Sequence, residues 1–271
     1  MESIFTEVWD QQSTGLPIGN PENRWNAGDL LRELQLHLSS VCGSVRFGHH
    51  VRLSRLYQQF LEDLISDSKT FTVVSFNYDT LVEEALRKSG IGYTYGPERS
   101  VMFTDESHSK SRRRNWIAIP VLKLHGSVNW GICRNCGLRG PGVDLINAFD
   151  GPYLPGVRRA RCVCHKRYLE AGIVPPVIGK GAALRSFEEL WTKARANLKR
   201  AREVIVVGYS LPESDKQAVA LLREVVSPFK RPRVTIVCGP NGAPKSYERV
   251  FDKFEDPRCS FEEFLETGFG S

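Results

Sequence analysis

The chain has 271 residues, 41% hydrophobic and 25% charged, a balance that supports a real core and excludes a disordered or low-complexity chain. Its length fits one large domain, or one domain with a sizeable insert. The net charge of +6 suits an anionic ligand or an acidic surface and does not by itself point to nucleic acid.

Met1 to Gln12 carries acidic residues and no apolar core, so no secretory leader is expected. No apolar run reaches the ~18 residues of a membrane span. Residues 1–28 are turn-rich, and Leu30, Leu31, Leu34 and Leu38 then repeat at helical spacing. Leu53, Leu56, Tyr57, Phe60, Leu61 and Leu64 fall at steps of three and four, one face of an amphipathic helix. Thr70 to Ser75 is a β-branched apolar run that predicts a buried strand, and Asp79 predicts the cap of a following helix. Residues 98–115 are polar and basic, hence a loop. Ile117 to Leu124 predicts another strand, with Pro120 making part of it irregular or edge-like. Residues 131–169 lose apolar periodicity and predict a small cysteine-rich insert between two parts of the main domain, 1–130 and 170–271. Phe187, Leu190, Trp191, Ala194, Leu198 and Ala201 trace a long helix. Val204 to Val207 predicts a central parallel strand. A helix over roughly Asp215 to Val226 and a strand over Val234 to Val237 complete the pattern. The alternation predicts an α/β protein: a Rossmann-like, doubly wound parallel sheet with helices on both faces.

In such a sheet ligands sit beyond the carboxyl ends of the strands. There the sequence places Ser75-Phe76-Asn77-Tyr78-Asp79, His125-Gly126-Ser127, Gly208-Tyr209-Ser210 and Gly239-Pro240-Asn241. One rim thus collects amide, carboxylate, imidazole and hydroxyl groups, and polar groups at a buried rim need partners.

These segments, in this order, resemble the sirtuin family. SFNYD is similar to its T-Q-N-x-D motif, LKLHG to its E-L-H-G motif and VVGYS to its I-G-T-S strand end. The wording of SFNYDTLVE, LHGSVNW and LWTKARANLKRAREVIVVGYSLPESD resembles the bacterial sirtuin-like branch linked to phage defence and NAD depletion. The resemblance covers about residues 70–241 and implies NAD as the ligand, at Ser75, Asn77, Asp79, Gly208, Ser210 and Asn241. It implies His125 and Asn77 as the catalytic pair: Asn77 orienting water or ribose, Asp79 holding the nicotinamide amide, and His125 acting as base on a ribose hydroxyl. The implied activity is NAD hydrolysis. NAD-dependent protein deacylation and an inactive NAD- or ADP-ribose-binding module are the alternatives.

Local readings compete with these. Asn77 and Asp79 suit a strand-to-helix turn, His125 a structural position before a glycine turn, and Ser210 a turn. Asn241-Gly242 is a common turn dipeptide, and the turn is the stronger reading there.

Seven cysteines are an odd number, four of them in two tight pairs. Cys133 and Cys136 form CxxC, and Cys162 and Cys164 form CxC, with His165 an adjacent substitute ligand. Four thiolates at such spacing fit a closed, structural zinc in a reducing compartment, hence a cytoplasmic protein. The insert also resembles the family's zinc ribbon. The basic clusters at Arg112–Arg114, at Arg158, Arg159 and Arg161, and along Lys193 to Arg202 read as solvated faces. They lack interleaved aromatics, which disfavours nucleic acid. The family's first strand and its G-A-G-x-S phosphate loop do not occur here. Either the chain begins late or it is a degenerate member. An unpaired sheet edge would follow, leaving association with a second copy or a protein partner open.

Overall fold

The computed structural model describes residues 49–67, 70–96, 118–132, 139–140, 170–174, 187–213, 215–225 and 232–267. Helix α1 spans His49–Ser66, and the helical apolar spacing sends Leu61 and Leu64 into the core. Leu53, placed on the same face by its spacing, is 39% exposed. Tyr57 and Phe60 pack on Phe261 with ring centroids 5.4 and 5.5 Å apart.

Strand β1 (Val73–Ser75), helix α2 (Leu81–Lys88), strand β2 (Tyr93–Thr94) and strand β3 (Ile119–Lys123) follow. They form a parallel sheet of order β1-β3-β2, with Val73 beside Val121 and Tyr93 beside Ile119. β3 is therefore central, which corrects the edge-like expectation from Pro120. The Ile119 N–H donates to the Gly92 carbonyl and the Leu124 N–H to the Ser75 carbonyl. Even-numbered residues of β3 thus turn their donors toward β1. Proline's missing donor falls on that side, ahead of the Val73–Val121 pair where the β1 ladder begins.

Strand β4 (Gly126–Ile132) pairs antiparallel with β5 (Arg139–Gly140) and β6 (Glu170–Ile173). The segment between β4 and β6 read as the insert lies almost wholly outside the described residues. So do Cys133, Cys136, Cys162, Cys164, His165, the 98–115 loop and everything before His49. Helix α3 (Glu188–Arg200) packs on β3 and leads into strand β7 (Glu203–Val207). Helix α4 (Lys216–Arg223) is shorter than the spacing predicts, and strand β8 (Arg233–Val237) pairs with β7 in parallel along its full length. A 3-10 turn (Lys245–Arg249) and helix α5 (Phe261–Thr267) end the described chain.

The parallel strands fall in two sheets, β1-β3-β2 and β7-β8, rather than in one continuous sheet; among the described residues no strand pairs between β1 and β7. Side chains join the halves instead. One core contains Leu86, Val121, Leu122, Phe187 and Leu190, the other Leu211, Ile236, Tyr247 and Phe251, and Phe76 and Leu198 pack against both.

Tyr93 lies within the first sheet. Burial, then the nearby Glu83 charge, pushes its phenol up to about 12. In the unfolded chain a tyrosine ionises near ~10. A raised pKa gives stability that is full below the unfolded value and is lost as pH rises through the folded one. Wild type should therefore lose about 3 kcal/mol more than Tyr93→Phe between pH ~10 and ~12. Denaturant midpoints of the two proteins across that window check it.

Candidate functional site at the strand ends

β1 ends at Ser75, and the chain crosses to α2 through Phe76-Asn77-Tyr78-Asp79-Thr80. Its polar groups hold that crossing in place. The Asn77 N–H donates to the Ser75 hydroxyl at 3.2 Å. The Tyr78 carbonyl accepts the Val128 N–H at 2.9 Å and the Ser127 hydroxyl at 3.3 Å. The Tyr78 hydroxyl donates to the Val174 carbonyl at 2.6 Å. Asp79 Oδ1 accepts the Leu81 N–H at 3.1 Å, so Asp79 does bond the helix start, although Thr80 occupies the cap position. The Asp79 carbonyl accepts from the Lys123 ammonium. Asn77 is exposed.

β3 delivers His125. The Leu124 N–H donates to the Ser75 carbonyl at 2.9 Å, and the Leu124 carbonyl accepts the Trp191 indole N–H at 3.1 Å. The His125 carbonyl accepts the Val174 N–H at 2.8 Å. Gly126 then turns the chain into β4 at φ +82°, and a Cβ there would stand 1.9 Å from the Gly172 carbonyl oxygen. Only glycine fits this turn. His125 is 5% exposed. Its ring meets Phe76 edge-on at 5.4 Å, with Trp191 at 6.1 Å.

The opposite wall comes from β7. Gly208 follows it at φ +66°, with open space where a Cβ would lie. The Tyr209 ring stacks on Phe76 at 4.4 Å and 11°. Its carbonyl accepts the Tyr247 hydroxyl at 2.6 Å, and its own hydroxyl donates to Asp215 Oδ2 at 2.8 Å. Asp215 is 2% exposed and precedes α4. The same Oδ2 stands 3.4 Å from His125 Nε2. Burial, then the Asp215 charge, holds the Tyr209 phenol far above its ordinary range, so it remains a donor. A buried carboxylate needs compensation, and Tyr209 and His125 face Asp215 to provide it.

The structure thus gathers the Ser75–Asp79 crossing, His125 and the segment after Gly208 in one place. Ser210 and Asn241 are exposed beyond β7 and β8. At Asn241 the Gly242 N–H closes a turn onto the Gly239 carbonyl at 3.0 Å. Phe76, Tyr209 and Asp215 were not singled out by the sequence pattern. The first two sit inside quoted motifs, where an aromatic flanked by polar residues was a usable signal. Asp215 was visible only as the start of a helix. Among the described residues no group of three or more His, Cys, Asp or Glu side chains could hold a metal. None of the described helices is long and apolar enough to cross a membrane.

Parallel β–α units with polar side chains gathered at their strand ends define an α/β domain of the Rossmann-like kind. A SIR2-like domain model matches residues 72–255, more than half of the chain, and the protein belongs to that family. No curated protein matches it. Among solved structures it is similar to a mutant Sir2 homologue in complex with ADP ribose: 15% identity, 96% of this chain, 79% of that one, TM-score 0.48. It is also similar to Sir2Tm bound to a propionylated peptide, at 16% identity over 78% of this chain and 68% of that one, TM-score 0.43. A structure described as the basis of sirtuin substrate affinity aligns at 16% identity over 78% of this chain, TM-score 0.43. This chain spans 66% of that sirtuin's length.

The two glycines make separable demands. Gly126→Ala meets both a backbone clash and an unfavourable φ, and should cost roughly 3 kcal/mol or more. Gly208→Ala meets only the φ penalty of roughly 1–2 kcal/mol. Thermal unfolding of the two variants should rank them in that order.

Proposed function

We propose that the domain binds NAD at the carboxyl ends of its strands and hydrolyses the nicotinamide–ribose bond. The observation that carries this reading is the buried His125–Asp215 pair, 3.4 Å apart, beside a crossing whose Asn77 is exposed. In hydrolysis the bond from ribose C1 to nicotinamide breaks, nicotinamide leaves neutral, and a water oxygen takes its place on C1. The proton this releases needs an acceptor. His125 takes it from the activated ribose hydroxyl or water, and the Asp215 carboxylate stabilises the imidazolium so formed. Asn77 orients the attacking oxygen, Asp79 faces the carboxamide, and the open space over Gly208 lets a phosphate or ribose approach the backbone. Ser75, Ser210 and Asn241 complete the ligand contacts. The motif wording supports hydrolysis over deacylation and a place in phage defence through NAD depletion. A binding module without catalysis is the second reading, supported by a His125 that is only 5% exposed.

Incubation of the protein with NAD should release nicotinamide. His125→Ala and Asn77→Ala should each lower the rate by about 10²–10⁴-fold, and Asp215→Asn by at least roughly tenfold. A wild type that binds ADP-ribose calorimetrically but releases no nicotinamide sinks the hydrolase reading and leaves the binding module.

The four cysteines support a structural zinc in the 131–169 insert. Thiol modification in the presence of a chromogenic chelator should free about one zinc per chain, and Cys133→Ser with Cys136→Ser should abolish that signal. Metal-free protein as purified would remove this part of the reading.

A further inference from the structure

We infer that Lys123 is a positioning residue for the proposed reaction, holding the Asn77–Asp79 crossing in place from the interior through a buried pairing with Glu83. This rests on the assignment of that crossing to the site.

Lysine is almost never fully buried unless paired. Lys123 is 1% exposed and Glu83 4%. The ammonium has three donors. One goes to the Asp79 carbonyl, and Glu83 Oε1 lies 3.4 Å from the same nitrogen. That carboxylate also accepts the Tyr95 hydroxyl at 3.1 Å, and the Tyr95 oxygen accepts an Asn129 amide hydrogen at 3.1 Å. The network therefore runs from the crossing through β3, α2 and the residue after β2 to β4. Burial pushes the Glu83 carboxyl up, and Lys123 is the strongest influence opposing it.

The contact bears on geometry because of where it ends. Asp79 lies two residues beyond Asn77, between Tyr78, which is tied to β4, and Leu81, which begins α2. The Asp79 side chain bonds forward to the helix, so Lys123 holds the backbone from the sheet side. Lys123 is also two residues before His125, so one strand end fixes both halves of the site. Replacing a buried ion pair by neutral groups of similar volume is often neutral for stability. Fold and positioning are therefore separable by mutation.

The test is Lys123→Met combined with Glu83→Gln, which removes both charges and leaves an amide carbonyl on α2 able to accept the Tyr95 hydroxyl. The thermal midpoint of this double variant should stay within about 5 °C of wild type. Amide exchange at Leu81 should speed up by roughly tenfold or more, with Ile236 in β8 unchanged. The kcat for nicotinamide release should fall by roughly tenfold, with KM moving less than about threefold. Glu83→Gln alone leaves the Lys123 ammonium buried without its carboxylate partner and should unfold at a lower temperature than the double variant. Unchanged Leu81 exchange in the double variant overturns the proposal, as does a single variant as stable as the double. Lost protection with an unchanged kcat in an active wild type overturns it too. If wild type releases no nicotinamide, the proposed reaction fails, and Leu81 exchange alone still decides the positioning role.

Discussion

The reversal at Leu124-His125-Gly126 is the constraint from which the rest of the site follows. β3 arrives as a central parallel strand, with the Leu124 donor just beyond it on the Ser75 carbonyl. β4 leaves against β6 so closely that the Gly172 backbone fills the space a Cβ would need at Gly126. No other residue has the freedom to make that bend without displacing β6. His125 therefore has little choice of position: its neighbour bonds β1 on one side and the Trp191 indole on the other, and its own carbonyl accepts from Val174. The imidazole is aimed by backbone geometry rather than by a flexible loop.

Burial then sets the electrostatics. His125 and Asp215 are both nearly inaccessible to water, so their interaction is screened far less than a surface pair of the same separation. Tyr209 completes the arrangement without competing for charge. Its phenol stays protonated because ionising it beside Asp215 in a dry environment is doubly unfavourable. Asp215 Oδ2 thus receives a permanent donor from Tyr209 and faces the imidazole with its remaining capacity.

The α/β class and the helices of high apolar periodicity were legible in the sequence, because burial writes a period of three to four into α1 and α3 and continuous apolar runs into β7 and β8. Strand ends were legible too, since Asn77, His125 and Gly208 each lie at the close of an apolar run. Two kinds of information were not. Pro120 reads as an edge signal because sequence does not reveal to which side a residue's donor points, or where the neighbouring ladder starts. Asp215 reads only as the start of a helix because its partner His125 lies far earlier in the chain, at the end of a strand in another sheet, and nothing local encodes that meeting. Lys123 likewise reads only as one residue of the predicted Ile117–Leu124 strand until α2 supplies Glu83 and the crossing supplies a carbonyl.

The site lies at a seam. β1-β3-β2 and β7-β8 share no backbone ladder among the described residues, so side chains make the contacts between them. These include the Phe76–Tyr209 stack and the His125–Asp215 pair. A stacked aromatic pair contributes about 0.5–1.5 kcal/mol beyond its buried area, and a single side-chain hydrogen bond about 1 kcal/mol. No one of these is strong enough to define the distance between the sheets, whereas each sheet's own ladder fixes the residues upon it. The ladders therefore set the positions of His125 and Gly208 within their sheets, and the seam contacts set how the two positions face each other. Phe76 matters most there, because it packs into both cores and touches both His125 and Tyr209. One apolar ring next to Asn77 thereby makes the facing of the two walls a consequence of hydrophobic burial, and leaves the neighbouring amide exposed.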